Sequence, residues 1–264
     1  MPGPREHPPI PPTSTRDVPL FRDGRHRATA ASAFRTGADA YHAVRPGYPP
    51  EVLELIPAAA RTVADIGAGT GKLTEQLIDV GFDVIAVEPS GAMLDVLGRT
   101  CPTAARVQAT AEATGLADAS VDAVVCAQTW HWVDVPRASR ELARIMAPGG
   151  RAVLVWNTLD VQVPWVHRLT RIMHSGDVLR PGFVPATAPP LALEQELRLD
   201  WVAELTTEEV LMLARTRSYW LNAKAATREK VAANLRWYLF EHLGFAPGDV
   251  VPLPYRCDAF SYRA

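Results

Sequence analysis

The sequence predicts an α/β protein: a doubly wound, mostly parallel sheet of seven strands, with a helical cap inserted after the fifth strand. Three observations support this fold class. Strand and helix patterns alternate regularly from residue 62 to residue 156. The strands are apolar throughout, as in a parallel sheet that helices cover on both faces. After Trp156 the alternation stops, and a helical region follows before one last strand-like segment.

Each element of the alternating region is indicated by its apolar pattern and by the turn residues that bound it. A short helix over Glu51–Ala60 follows two prolines, which favour the first turn of a helix. Strands are expected at Thr62–Ile66, Phe82–Val87, Ala105–Ala109, Asp122–Ala127 and Arg151–Trp156, and helices at Leu73–Val80, Ser90–Arg99 and Val135–Met146. The run Ala-Pro-Gly-Gly at 147–150 predicts a turn before the fifth strand.

The region after the fifth strand is predicted to form a cap or lid. Its expected elements are a segment at Val163–Ser175, a strand at Leu197–Ala203 and helices at Thr207–Leu213 and Thr227–Leu243. The tail Val250–Tyr262 alternates enough to form a last strand, which should return to the sheet beside the fifth. The predicted division is an arm (1–28), a core (29–160), a cap with one returning strand (161–248) and a last core strand (249–264).

Composition and charge exclude several classes of function. The 264 residues include 27 basic and 29 acidic side chains, and a formal charge of −2 disfavours nucleic-acid binding. No uncharged apolar run approaches the ~18 residues of a membrane helix and no signal peptide is visible, so a cytoplasmic protein is expected. Seven of the 23 prolines lie in the first 19 residues, which predicts a disordered arm. The cysteines lack metal-ligand spacing, so no metal is expected.

The motif that carries chemistry is a glycine turn after the first strand. In the run Ile66-Gly67-Ala68-Gly69-Thr70-Gly71, the glycines let backbone approach a ligand. The G-x-G-x-G spacing differs from the G-x-G-x-x-G of dinucleotide dehydrogenases, which disfavours a pyrophosphate cradle and an NAD-dependent oxidoreductase. Asp65 ends the first strand and Glu88 ends the second, where a carboxylate can accept both hydroxyls of a ribose. The alternative is a tight structural connection with solvated strand ends.

Three further segments accompany this motif: Tyr41–Pro49, Ala111–Leu116 and Ala127–Trp132. With them, roughly residues 34–160 resemble the class I S-adenosylmethionine (SAM)-dependent methyltransferases, which are Rossmann-like. The resemblance is to the type 11, small-molecule branch that includes trans-aconitate methyltransferase-like proteins. It implies SAM as cofactor, S-adenosylhomocysteine as product and a small-molecule methyl acceptor.

The resemblance also implies which residues contact the cofactor. Glu88 would hold the ribose and Met93 would pack on the adenine, although a methionine at such a position is equally often a core residue. Thr110 stands where many relatives have an aspartate that binds the adenine amino group. The residues expected at the cofactor are Asp65, Gly67, Ala68, Gly69, Glu88, Met93, Ala111, Glu112, Gln128, Tyr41 and Arg45.

Few residues suggest catalysis itself, because methyl transfer from a sulfonium needs alignment and exclusion of water more than acid–base help. His131, just past the fourth strand, is the candidate base for a hydroxyl or carboxylic acid acceptor. The alternative is a packed or surface histidine beside Trp130 and Trp132. Tyr41 and Arg45 would close over the carboxylate end of the cofactor, or would only cap the surface.

The acceptor stays open between two classes. Rigid apolar walls for an aromatic acceptor are offered by Trp156, Trp165, Trp220, Trp237 and Tyr219. Pairing with a carboxylic acid, or merely a solvated face, is offered by Arg168, Arg171, Arg215 and Arg217. A second function also stays open, in which the same fold serves binding, regulation or a non-methyl reaction.

Overall fold

The computed structural model describes residues 38–175 and 179–264, so the predicted arm and the start of the predicted core lie outside the described residues. The strands are β1 (Thr62–Ile66), β2 (Asp83–Val87), β3 (Ala105–Val107), β4 (Val121–Ala127), β5 (Met146–Leu159), β6 (Ala192–Thr206) and β7 (Val250–Arg263). They form one seven-stranded sheet in the order β3-β2-β1-β4-β5-β7-β6. The predicted return of the last strand beside the fifth is confirmed.

Helices connect these strands in the predicted alternation. They are α1 (Ala38–Val44), α2 (Lys72–Asp79), α3 (Gly91–Thr100), α4 (Val135–Ile145), α5 (Pro164–Met173), α6 (Thr207–Arg215), α7 (Ser218–Asn222) and α8 (Ala225–Arg236). Short 3₁₀ helices occupy Pro50–Leu55 and Trp130–Trp132, and a π-helix over Trp237–His242 continues α8.

The predicted fold class is confirmed by the pairing of the strands. The pairs β1–β2, β1–β4, β2–β3 and β4–β5 are all parallel. Nearly every residue of β1 and β4 is buried, as expected for strands that are covered on both faces. Parallel neighbours end at the same edge of the sheet, so this arrangement brings the residues that follow β1, β2 and β4 together.

The chain divides into two compact units. The unit that we call the sheet unit consists of Pro46–Asn157, Pro185–Leu199 and Cys257–Ala264. The other, here the helical unit, consists of 38–45, Thr158–Val184 with its gap at 176–178, and Asp200–Arg256. The strands β5, β6 and β7 each contribute residues to both.

The helical unit has an apolar core of its own. Its buried residues come mainly from α5, α6, α8 and the adjoining parts of β6 and β7, with Val166, Leu169, Val210 and Leu213 fully buried. Tyr238 of the π-helix is also fully buried, and its hydroxyl donates a hydrogen bond to the carbonyl of Trp165 at 2.9 Å. Burial of each such side chain contributes roughly 1.5–3 kcal/mol. Trp165 and Trp220 pack against this core, so packing accounts for part of their surface.

Two predicted elements, the helix after two prolines and the turn before the fifth strand, are wrong in form. The helix expected over Glu51–Ala60 is a 3₁₀ helix that ends at Leu55, because Ile56 precedes a proline and adopts an extended conformation with ψ 136°. The turn expected at 147–150 lies inside β5, where these four residues bulge opposite Asp122 between the pairs Val121–Met146 and Ala123–Arg151. A bulge with a glycine at φ 83° satisfies the same Pro-Gly-Gly signal as a turn.

The predicted elements of the cap differ from the structure mainly in their bounds. The strand expected at Leu197–Ala203 extends over 15 residues as β6, and the helix expected over Thr227–Leu243 changes at Trp237 from α to π geometry. The helix α7 has only five residues, which is too short for an apolar period to show in the sequence.

Candidate functional site

The candidate site lies in the sheet unit, at the edge where β1, β2 and β4 end. Ile66 at the end of β1 pairs with Val87 at the end of β2. The turn that follows β1 is fixed to β2, because the backbone amides of Gly67 and Ala68 both donate to the carbonyl of Val87, at 2.7 and 3.2 Å. The structure thus brings the glycine turn next to Glu88, which follows Val87 directly.

The three glycines of the turn differ in what surrounds them. All have positive φ angles, 71° at Gly67, 58° at Gly69 and 96° at Gly71. A β-carbon at Gly67 would collide with the side chain of Thr129, and one at Gly71 would crowd the side chains of Leu97 and Cys101, so packing explains both. A β-carbon at Gly69 would meet only the Sδ atom of Met93, at 3.9 Å. Gly69 is therefore backbone that a ligand can approach closely.

Glu88 has a carboxylate that is held from two sides and is only 7% exposed. The amide of Gly69 donates to Oε2 at 3.0 Å, and the amide of Ser90 donates to Oε1 at 2.9 Å. Burial raises the pKa of Glu88, and the two hydrogen bonds from Ser90 and Gly69 partly oppose that shift. Because each carboxylate oxygen has a second lone pair, the oriented group can still accept hydroxyls.

Asp65 lies at the end of β1 and is 1% exposed. Its Oδ2 atom accepts a hydrogen bond from the hydroxyl of Thr74, on α2, at 2.7 Å. Burial raises the pKa of Asp65 to about 7, the charge of Glu88 adds to this shift, and the bond from Thr74 opposes it. A buried carboxyl that titrates near neutral pH beside a glycine turn is typical of functional sites.

The other residues expected at the cofactor are placed differently from one another. Met93, on α3, is 7% exposed and faces Gly69 with its sulfur. Ala68 packs its side chain into a small core cluster between β2 and α3, so only its backbone is available to a ligand. Ala111 is buried, and Glu112 accepts a hydrogen bond from the amide of Asp134 at 2.7 Å, which ties it to the start of α4.

The segment around Ala111–Leu116 is held in place by α4. The amide and the hydroxyl of Thr114 both donate to Oε1 of Glu141, each at 2.7 Å. Arg144 pairs with Glu141 at 2.8 Å and donates to the carbonyl of Leu116. The guanidinium of Arg144 lowers the pKa of Glu141 to about 2.

Gln128 follows β4 with a φ angle of 53°, which is rare for a residue other than glycine. Its backbone amide donates to the carbonyl of Val155 at 2.8 Å, and its side-chain amide donates to the carbonyl of Asn157. Asn157 in turn donates to the carbonyl of Gly47 at 2.7 Å. Strained backbone of this kind persists where neighbours fix it, and it clusters at ligand sites. The side chain of Gln128 is thus committed to the end of β5.

His131 lies in the 3₁₀ helix after β4, at the same edge as the glycine turn. Thr129, two residues earlier, contacts the carbonyl of Gly67 through its hydroxyl at 3.1 Å. The His131 ring is half-buried and lies 4.8 Å from the ring of Trp132, with the planes tilted by 46°. Trp130 is buried and donates through Nε1 to the carbonyl of Ala186 at 2.8 Å, which anchors the helix.

Tyr41 and Arg45 belong to the helical unit. The guanidinium of Arg45 lies over the ring of Tyr41, 4.9 Å from its centroid, and its Nε donates to the hydroxyl of Thr216 at 3.1 Å. The structure thus brings these two residues together with Thr216. Neither residue belongs to the sheet unit, which carries the glycine turn.

Gln76, on α2, holds the chain at Tyr48, and no pattern in the sequence indicates this role. The amide of Tyr48 donates to its Oε1 at 2.8 Å, and its Nε2 donates to the carbonyl of Tyr48 at 2.7 Å. This exchange fixes the segment before the 3₁₀ helix to α2. A polar residue on a helix gives no sequence signal for a partner 28 residues earlier, so the pairing could be found only from coordinates.

The cysteines of the described residues are free thiols that are buried in the fold. Burial raises the pKa of Cys257 to about 12 and that of Cys126 well above its usual value, so both are poor nucleophiles. Residues 38–175 and 179–264 hold no cluster of three or more His, Cys, Asp or Glu side chains that could bind a metal ion. No helix in those ranges is long and apolar enough to cross a membrane.

Comparisons with known proteins agree on one family. A sequence profile of a methyltransferase domain matches residues 64–154. Uncharacterized methyltransferases of Mycobacterium tuberculosis and Mycobacterium bovis are 43% identical over 232 residues, which cover 87% of this chain and 94% of theirs. The structure of a protein assigned to the type II methyltransferases, from Anaeromyxobacter dehalogenans, is 25% identical with a TM-score of 0.63, over 83% of this chain and 96% of that one. The chain therefore belongs to the class I SAM-dependent methyltransferases.

Proposed function

We propose that this chain binds SAM at the carboxyl edge of β1 and β2 and transfers its methyl group to an O, N or C atom of a small-molecule acceptor by in-line displacement. The observation that carries the proposal is the contrast within the glycine turn. Gly67 and Gly71 are packed against protein, whereas Gly69 faces open space beside Met93, and its amide orients Glu88. Together, the accessible backbone of Gly69, the oriented carboxylate of Glu88 and the thioether of Met93 suit a ligand that joins a nucleoside to an amino acid.

The residues of the sheet unit divide the proposed binding between them. The backbone at Gly69, with Asp65, would hold the methionine part, Glu88 would accept the ribose hydroxyls, and Met93 would pack on the adenine. Ala111 and Glu112 would complete the adenine side, and Gln128 would be a further cofactor contact, as the family resemblance implies. When bound, SAM supplies a methyl group that its sulfonium already activates, so the protein mainly has to align an acceptor and exclude water.

Replacement of Glu88 by alanine tests the ribose assignment. It removes an acceptor of two hydroxyls, so we expect S-adenosylhomocysteine to bind roughly 30- to 160-fold more weakly, a loss of about 2–3 kcal/mol. Titration calorimetry measures this affinity directly. Glu54, an exposed carboxylate of the Pro50–Leu55 3₁₀ helix, provides the control as Glu54→Ala. Unchanged affinity in Glu88→Ala would remove Glu88 from the cofactor site.

His131 is proposed as the general base for an acceptor that must lose a proton. We expect His131→Ala to lower turnover at least tenfold and to leave the affinity for S-adenosylhomocysteine unchanged, because the imidazole acts on the acceptor. Turnover is read as release of S-adenosylhomocysteine, and stability as the urea midpoint. Equal turnover, or a loss of stability that accounts for the lost activity, would assign His131 to packing against Trp132.

We further propose that the acceptor is an aromatic compound or a carboxylic acid. Two features of the helical unit support this proposal. The guanidinium of Arg215 lies over the ring of Trp220 at 5.7 Å, and Arg217 is 5% exposed. A screen of aromatic alcohols and organic acids for SAM-dependent release of S-adenosylhomocysteine tests it, and turnover of amines alone would contradict it.

A further inference from the structure

A cavity of about 740 Å³ lies in the helical unit, among α5, α7 and α8. Arg168 and Arg171 line it from α5, Tyr219 from α7, and Lys230 from α8. None of the residues proposed to bind SAM contributes to it. The cavity is therefore a feature of the helical unit that the proposed methyl transfer leaves unexplained.

The charged side chains that line the cavity in the described residues are all basic. Arg168, Arg171 and Lys230 line it, and no acidic residue does so in the part of the chain that the structure describes. These three side chains make no ion pair with any described residue. Arg168 and Arg171 are three positions apart, so they project from the same face of α5. Like charges gathered around one cavity repel each other and create a local potential that attracts an anion.

The walls of the cavity are flat and partly apolar. The ring of Tyr219 stacks on the ring of His174, with centroids 4.0 Å apart and planes inclined by 18°. Ile172 and Val231 add aliphatic surface beside the stacked pair. Val231 is 5% exposed and belongs to the apolar core of the unit, which gives the cavity a rigid base. Surface of this kind accepts an apolar group of a ligand.

We infer that this cavity binds a small organic anion, whose carboxylate or phosphate lies between Arg168, Arg171 and Lys230 and whose apolar body lies against Tyr219 and Ile172. Guanidinium groups pair with carboxylates and phosphates through two parallel hydrogen bonds, which suits both heads. The three cations are exposed, so salt screens their attraction and binding weakens as ionic strength rises. This anion site does not depend on the methyl transfer proposed above.

Calorimetric titration of the full chain with four probes tests the proposed ligand class. Phenyl phosphate and benzoate carry an anionic head on an apolar body, inorganic phosphate lacks the body, and benzyl alcohol lacks the charge. We expect phenyl phosphate or benzoate to bind at least tenfold more tightly than both other probes, and to lose affinity between 50 and 500 mM NaCl. Whichever of these two probes binds more tightly shows whether the site prefers a phosphate or a carboxylate. Failure of both to bind would overturn the proposal.

Variants locate the binding in this cavity. We expect Arg168→Gln/Lys230→Gln to weaken binding of the stronger probe about tenfold and Tyr219→Ala to weaken it as well. Arg140→Gln provides the control, because Arg140 is an exposed arginine of α4 without an ion pair to any described residue. The urea midpoint should not move in the double variant, whose side chains are exposed. Unchanged affinity in the double variant, or an equal loss in Arg140→Gln, would overturn the proposal.

Discussion

At Gly69 a single residue contributes twice to the candidate site. Its amide donates to Glu88 and fixes the direction of that carboxylate, and its missing side chain leaves the backbone open to a ligand. A φ angle of 58° makes any other residue strained at this position. Asp65, at the end of β1, adds a buried carboxyl. These residues share one edge because parallel strands carry them there.

Asp65 predicts a pH dependence of stability. Its pKa is raised from 3.8 to about 7 in the folded chain, so the folded state binds more protons than the unfolded state between about pH 4 and pH 7. Its burial therefore destabilises the protein increasingly as pH rises through that window, by at most about 4 kcal/mol. Asp65→Asn, whose amide oxygen can still accept from Thr74, should abolish this part of the dependence.

Urea unfolding at pH 5 and pH 8, without cofactor, measures the effect of Asp65→Asn. The variant should gain stability relative to the wild-type chain as pH rises. Asp39→Asn, in α1, is the control for loss of one carboxylate. A constant difference between wild type and Asp65→Asn across this range would show that Asp65 does not titrate there.

At the scale of elements, α2 organises the site through two polar side chains. Its Thr74 binds Asp65 of β1, and its Gln76 binds the backbone of Tyr48 in the segment that precedes the sheet. Gly47 is fitted to this contact, since a β-carbon there would lie 2.9 Å from Oε1 of Gln76. The helix thus joins β1, the glycine turn and the Tyr48 segment.

Replacement of Gln76 by alanine should release the segment around Tyr48. Two hydrogen bonds are lost, and the amide of Tyr48 loses its acceptor, so we expect a loss of about 1–3 kcal/mol of stability and faster hydrogen exchange at that amide. Gln108→Ala is the matched control, because Gln108 is exposed and donates one bond, to the carbonyl of Pro89 at 3.2 Å. Slow exchange at Tyr48 in Gln76→Ala would contradict the role given to Gln76.

At the scale of the whole molecule, local sequence patterns predicted the parallel sheet and the return of its last strand beside the fifth. Apolar strands alternating with helices fix a parallel sheet, and the strand ends then place Asp65, Gly69 and Glu88 at one edge. The bonds from Gln76 to Tyr48 and from Asn157 to Gly47 could not be predicted, because they join residues 28 and 110 positions apart through polar groups without a periodic pattern. The same holds for the basic cavity, whose residues come from three helices.

The first and last residues of the helices and strands were predicted less well than the fold class, because contacts with distant parts of the chain decide them. The end of the 3₁₀ helix at Leu55 depends on the proline that follows Ile56. The glycine at Gly149 fits a bulge in a strand as well as a turn. Such choices are decided by neighbours in space. The fold class does not depend on them, because it rests on many strands at once.

Calorimetric titration with S-adenosylhomocysteine of the wild-type chain, Gly69→Leu and Gly81→Leu tests the central claim most directly. Both glycines have positive φ angles, and a β-carbon at Gly81 would meet nothing within 4 Å, so Gly81→Leu controls for the strain of a side chain at positive φ. We predict micromolar binding to wild type and to Gly81→Leu, none to Gly69→Leu, and no binding of NAD to any of them. Failure of the wild-type chain to bind, or equal affinity in Gly69→Leu, would contradict a SAM cradle at this turn.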